Sequence, residues 1–228
     1  MVAQTWEDTL FAHWPVDPER LARAVPAGLR LDTFAGRAWV TVTPLLIRAS
    51  RPRAAPPRHP WSDFPELNLR TYARAGGRPG ILFFSLDAPD PVVVAIAQAV
   101  FHLPYRRARI RIGGAPERRM VRSRRRDDPG VALTARYEPA GPAASPAPGS
   151  LDHWLLERYC CYGTDRRGGL WRTEIHHPPW PARPARVEVE LNTLTRPLGI
   201  ALEAVPALAH VARRQDALFW PPQRVAAG

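Results

Sequence analysis

The segment "PELNLRTYA", residues 65–73, carries a carboxyl, an amide, a guanidinium and a phenol at every second position: Glu66, Asn68, Arg70 and Tyr72. In an extended chain these four side chains share one face, and Leu67, Leu69, Thr71 and Ala73 share the other. A carboxyl group can take or give a proton, and a guanidinium can hold a carboxylate by two parallel hydrogen bonds. The ordinary fate of such a polar row is contact with water, and a second is a structural ion pair between Glu66 and Arg70. Whether the row lines a site depends on what covers it.

Other reactive side chains are less well grouped. In "TEIHHPPW" Glu174 and His176 share a strand face with His177 opposite, and two ligands without a third at a recognisable spacing do not make a metal site. His102 lies at the end of a mostly apolar helix and reads as a packed, hydrogen-bonded histidine. "GTDRRGG" lacks the preceding strand, the spacing and the lysine of a phosphate-binding loop. Cys160 and Cys161 are adjacent, which disfavours a disulfide between them, so both are expected as reduced thiols. No metal and no cofactor is expected.

The elements that must position these residues are mostly strands. "VDPERLARAVPAG" is a short helix capped by Asp17 with Pro18 in its first turn, and a hairpin turning at Ala35 and Gly36 should follow. "SRPRAAPPRHPWSDFP" is too proline-rich for helix or strand and reads as a surface loop. The row at 66–72 then enters a second hairpin, turning at Gly76 and Gly77. Asp90 should cap a helix from about Pro91 to His102, read from its apolar run as buried. Three short strands follow, and residues 140–150 form a Pro/Ala-rich internal loop. A short helix capped by Ser150 or Asp152 and three more strands complete a single domain spanning 1–228. Many strands with hairpin spacing and few helices predict an α+β, mainly β fold around a large antiparallel sheet or barrel.

Composition limits the partners. The 228 residues have 45% hydrophobic content and a net charge of +11, and every basic residue is arginine. The arginines are scattered through the chain, which fits a compositional bias better than a nucleic-acid-binding tail. The densest cluster, "ERRMVRSRRRDD", puts Arg122, Arg124 and Arg126 on one strand face without stacking aromatics, so nucleic acid is not the expected partner. No segment has the length and apolarity of a membrane span, and the first residues lack the pattern of a secretory signal, so a cytoplasmic location is expected.

"FAHWPVDPERLARAVPAGLRLDTFAGRAWV", "FPELNLRTYARAGGRPGILFFSLDA", "FHLPYRRARI", "LLERYCCYG" and "EIHHPPWP" together resemble the bacterial YqjF-like domain family, which is placed in the acetoacetate decarboxylase-like superfamily. The resemblance implies a cone-shaped antiparallel β-barrel around a small polar cavity, often in a homo-oligomer, and so supplies an inside for the row at 66–72. It places Glu66 at the superfamily's cavity glutamate. It also sets Tyr105 and Arg106, which follow Pro104, where the decarboxylase has its Schiff-base lysine and the neighbouring lysine that lowers its pKa.

Neither a phenol nor a guanidinium can condense with a ketone, and the sequence contains no lysine, so side-chain Schiff-base chemistry is excluded. What remains is acid–base chemistry by Glu66 and Tyr105, with Arg106 or Arg70 holding a carboxylate. That set would suit binding, enolisation or hydration of a small oxo-acid. Asn68, Ser85, His102, Glu157, Tyr159 and His176 are the further candidates for contact with a small carboxylate or carbonyl metabolite. The competing reading is a noncatalytic module, either a ligand sensor or an arginine-rich polyanion binder.

Overall fold

The computed structural model describes residues 1–55 and 62–225. Its strands are β1 (Val2–Val16), β2 (Arg30–Leu31), β3 (Ala38–Pro52), β4 (Phe64–Ala75), β5 (Arg78–Ala88), β6 (Tyr105–Ala115), β7 (Arg118–Arg125), β8 (Ala132–Pro139), β9 (Cys160–Thr164), β10 (Leu170–His176), β11 (Arg183–Asn192), β12 (Leu208–Phe219) and β13 (Gln223–Arg224). The helices are α1 (Pro18–Ala22), α2 (Pro91–Phe101) and α3 (Leu151–Leu156).

The described strands form one sheet whose closure depends on β5 and β12. β5 gives one edge to β4 and divides the other between β6 and β9. β12 likewise gives one edge to β1 and divides the other between β11 and β10. Between these two branch strands run three arms: β1, β3 and β4; β9 and β10; and β6, β7, β8 and β11. The first arm is common to two closed rings, so both of its faces point into an interior.

Side-chain parity fills the two interiors differently. Leu10, Ala12, Val40, Val42, Leu67 and Leu69 point into the ring completed by β6, β7, β8 and β11, where they pack against Ile110, Val121, Leu133 and Val211. That ring is a solid apolar core. The opposite face of the shared arm, which includes Glu66, Asn68 and Arg70, points into the ring completed by β9 and β10. Both faces of β4 are therefore enclosed, and its alternation separates two interiors instead of separating core from water.

Local signals account for the elements. Asp17 accepts a hydrogen bond from the Glu19 amide ahead of α1, Asp90 from those of Val92 and Val93 ahead of α2, and Ser150 from that of His153 ahead of α3. Gly76 and Gly77 adopt positive φ in the tight turn between β4 and β5, a conformation that costs glycine little. α2 ends where His102 enters the left-handed region, at φ 54°.

Three expectations need correction. The turn at Ala35 and Gly36 forms, with Phe34 and Arg37 bonded across it, but the run before it, Arg30–Leu31, pairs with β4 and not with β3. β3 continues as far as Pro52, into the proline-rich segment, because its end pairs with Val2 on β1; residues 56–61 of that segment lie outside the described residues. α2 is not a buried helix: Val92, Ile96 and Val100 are 40%, 52% and 51% exposed, and only Val94 on it is buried. No helix among the described residues is long and apolar enough to cross a membrane.

Candidate functional site

The ring closed by β9 and β10 encloses a cavity of about 460 Å³. Its wall follows the register of the strands. Glu66, Asn68 and Arg70 on β4 lie directly across from Leu45, Thr43 and Thr41 on β3, and paired residues project to the same side. On β1 a bulge at Asp8, φ 49°, reverses the parity, so Gln4 and Trp6 before it and Thr9 and Phe11 after it all face the cavity. Tyr105, the first residue of β6, pairs with Leu86 and reaches in from the far side.

The central contact is a hydrogen bond of 2.7 Å from the Tyr105 hydroxyl to Glu66 Oε2. Both residues are buried. Burial pushes the Glu66 carboxyl up from 4.5 to about 7; hydrogen bonds from Tyr105 and Asn68 oppose this rise, and the nearby Asp87 charge adds to it. Burial, followed by the adjacent Glu66 charge, holds the Tyr105 phenol well above its ordinary value. Glu66 is thus poised to exchange a proton near neutral pH, and Tyr105 stays a neutral donor.

Further along β4, Arg70 is 6% exposed and has no carboxylate partner among the described residues. Its Nη2 donates to the Leu155 carbonyl at 3.3 Å, its guanidinium lies 5.1 Å from the centre of the Phe11 ring, and its Nε has no partner. Arg158, from the turn after α3, also lines the cavity. Its Nη1 bonds Asp32 at 2.9 Å, but its Nη2 is unpartnered. Asn68 Oδ1, Thr43 Oγ1 and Thr9 Oγ1 are likewise buried without partners. Unpaired buried polar atoms are costly; such atoms also occur away from this site, on Trp39, Ser123 and Asn192 among others, but half of the described residues that carry them line this one cavity.

Beneath Arg70 the cavity floor is sealed by hydrogen bonds. The Tyr72 hydroxyl bonds the Leu155 carbonyl at 3.0 Å and Thr41 Oγ1 at 2.8 Å; Thr41 contacts His13 Nδ1 at 2.9 Å, and His13 faces His210. Burial, then the neighbouring His210 and Arg70, keep His13 well below its ordinary pKa.

Of the residues singled out from sequence, Glu66, Asn68, Arg70 and Tyr105 converge on the cavity. Glu66 and Arg70 do not form the internal ion pair considered above. Arg106 is not in the cavity: adjacent strand residues face opposite ways, so with Tyr105 inward its guanidinium lies at the surface, 54% exposed and 3.8 Å from Asp127. Ser85 is across from Leu69 and so faces the solid core, where it and Asp87 bind the buried Arg125. His102 packs against Trp171 with the two rings tilted, and it does not line the cavity.

Glu157 and Tyr159 do not point inward. They bond each other near the surface, at 2.6 Å, and Arg158 between them takes the inward direction. His176 is exposed; on β10 it is Ile175 that faces the cavity, and His177 follows it inward. Sequence reasoning therefore missed Arg158 and His177 by one residue each. Both errors are of alternation just outside a strand, Arg158 before β9 and His177 after β10, where the pattern has only two or three residues to declare itself. Arg122, Arg124 and Arg126 share an exposed face as expected. Among the described residues no group of three or more His, Cys, Asp or Glu is placed to hold a metal ion, and both cysteines are free and buried.

Two branch strands, a solid ring and a cavity-bearing ring define an acetoacetate decarboxylase-like fold. The structure is similar to acetoacetate decarboxylase from Legionella pneumophila, with a TM-score of 0.67 and 13% identity over 98% of this chain and 87% of that one. It is also similar to the enduracididine biosynthesis enzyme MppR complexed with pyruvate, with a TM-score of 0.71 and 12% identity over 100% of this chain and 91% of that one. At these identities the likeness establishes the fold alone. Residues 3–216 match the model of the DUF2071 family, described as an uncharacterized conserved protein, and the chain belongs to that family. It is 42% identical over 221 residues to the uncharacterized protein YqjF of Bacillus subtilis (strain 168), covering 97% of this chain and 91% of that protein.

Proposed function

We propose that the cavity binds a carboxylated carbonyl compound and exchanges a proton at the carbon next to its carbonyl. The observation that carries this reading is the pairing of a neutral phenol with a carboxyl poised near pH 7, on the same cavity wall as a buried guanidinium without a carboxylate partner. Arg70, aided by the free Nη2 of Arg158, takes the ligand's carboxylate. The Glu66 carboxylate then accepts the proton as the carbon–hydrogen bond breaks. The electron pair moves to the carbonyl oxygen, which receives a hydrogen bond from the Tyr105 hydroxyl. Reversal gives exchange; where the ligand carries a β-hydroxyl, the enolate's electrons expel it as the Glu66 carboxyl returns the proton to the leaving oxygen, and water departs. No side-chain Schiff base is involved, since the chain has no lysine to form one. The pyruvate complex of a protein of the same fold supports a small oxo-acid head group as the ligand class.

The test is deuterium wash-in at C3 of 2-oxobutyrate and 2-oxooctanoate in D2O, followed by proton NMR. Exchange above the uncatalysed rate that falls at least a hundredfold in Glu66→Gln and in Tyr105→Phe is the expected result. Exchange that persists in both variants overturns the assignment.

A further inference from the structure

The polar atoms of the cavity sit on the shared arm and at the inner end, and the rest of the wall is apolar. Trp6, Phe64, Phe83, Phe101 and Phe219 all line it. At about 30 Å³ per water, its 460 Å³ would hold roughly fifteen water molecules, several times the size of pyruvate or acetoacetate. A small acid bound at Glu66 and Arg70 would leave this aromatic wall wet. The wall also leads outward. Val93, Ile96, Ala97 and Phe101 of α2 line the cavity, and Ile96 is at the same time 52% exposed, so α2 forms the rim between the apolar wall and solvent.

We propose that the ligand is an amphiphile: an oxo-acid or related carboxylate head at Arg70, Glu66 and Tyr105, carrying a single apolar tail of about eight to twelve carbons that lies along the aromatic wall toward α2. The head-group half of this statement rests on the reading given above, whereas the tail half rests on the wall alone. A saturated chain of that length fills the remaining volume and buries against Trp6, Phe64, Phe83 and Phe219, while Gln4, Ser50 and Arg51 at the strand ends of β1 and β3 are the polar groups left on the wall.

The experiment is a titration of the purified chain, by calorimetry at fixed pH, with straight-chain carboxylates from acetate to tetradecanoate and with 2-alkanones of matching length. Affinity should rise roughly threefold to fourfold per added methylene up to about ten carbons and then level off. Ala97→Trp, a change at the rim of a largely exposed helix, should flatten that rise and leave short acids bound as before; Phe101→Ala should weaken decanoate binding several-fold, with the fold of the variant checked by thermal unfolding because Phe101 packs against the core beside the cavity. Carboxylates that bind equally well at every length overturn the tail and leave the head-group reading standing. Alkanones that gain with length while carboxylates never bind support the tail and overturn the carboxylate role of Arg70. No binding by either series overturns both.

Discussion

Replacing Glu66 by glutamine changes how stability depends on pH, and the size follows from the burial of one carboxyl group. In the folded chain Glu66 ionises near pH 7, against 4.5 ordinarily. Below pH 4.5 the group is protonated in both folded and unfolded chains and costs nothing. As pH rises from 4.5 the unfolded chain ionises first and is favoured progressively, until the folded chain also ionises near 7. At about 1.4 kcal/mol per pH unit, the wild type has lost ~3 kcal/mol from this group above pH 7.5.

Glutamine keeps a hydrogen-bonding partner for Tyr105 and never ionises, so its stability lacks this fall. The assay is chemical or thermal unfolding of both proteins from pH 4.5 to 8.5. The buried His13, His177 and His210 have lowered pKa values and weaken the fold on the acid side, but they do so equally in both proteins. The difference between the two curves therefore isolates Glu66. It should move in favour of Gln by ~3 kcal/mol across the range, roughly 6–12 °C in Tm for a chain of this size. A difference that is flat with pH refutes the burial of an isolated, proton-exchanging carboxyl.

Other expectations follow from the same geometry. Tyr105→Phe removes a hydrogen bond that favours the ionised form of Glu66, so the pH at which the fall in stability is complete should move upward, as read in the same unfolding series. Arg70→Met should abolish carboxylate-induced stabilisation and yet raise the Tm of the free protein by a few degrees, because a buried cation without a carboxylate partner is replaced by an apolar side chain of similar length. Arg125→Ala strands the buried Asp87 and should cost about 3–5 kcal/mol in denaturant unfolding.

The sequence revealed more of the fold than of the site's edges. Caps at Asp17, Asp90 and Ser150, the glycine turn at 76–77 and the period of β4 could all be read because each is a local signal within a few residues. The alternation of Glu66, Asn68 and Arg70 with Leu67 and Leu69 was clear, but the burial of both sets was not, since it arises from the branching of β5 and β12, a long-range pairing with no local mark. Arg106, Glu157, Tyr159 and His176 were expected in the site and lie outside it. Each neighbours an inward residue, Tyr105, Arg158, or Ile175 and His177, and a one-residue error of parity sends a side chain to the other face. Ser85 was displaced similarly, by the bulge that shifts β5 against β4 between Phe83 and Ser85. The apolar run of α2 suggested a buried helix because hydropathy alone does not distinguish a core from the rim of an apolar cavity.

The most direct test of the central claim, that the β4 row is the binding wall of this protein, is calorimetric titration of the wild type, Arg70→Met and Arg106→Ala with 2-oxooctanoate. Arg106→Ala should bind as the wild type does, and Arg70→Met at least a hundredfold more weakly. Undiminished binding by Arg70→Met, or its loss in Arg106→Ala alone, would contradict that claim and move the site to the outer surface of β6.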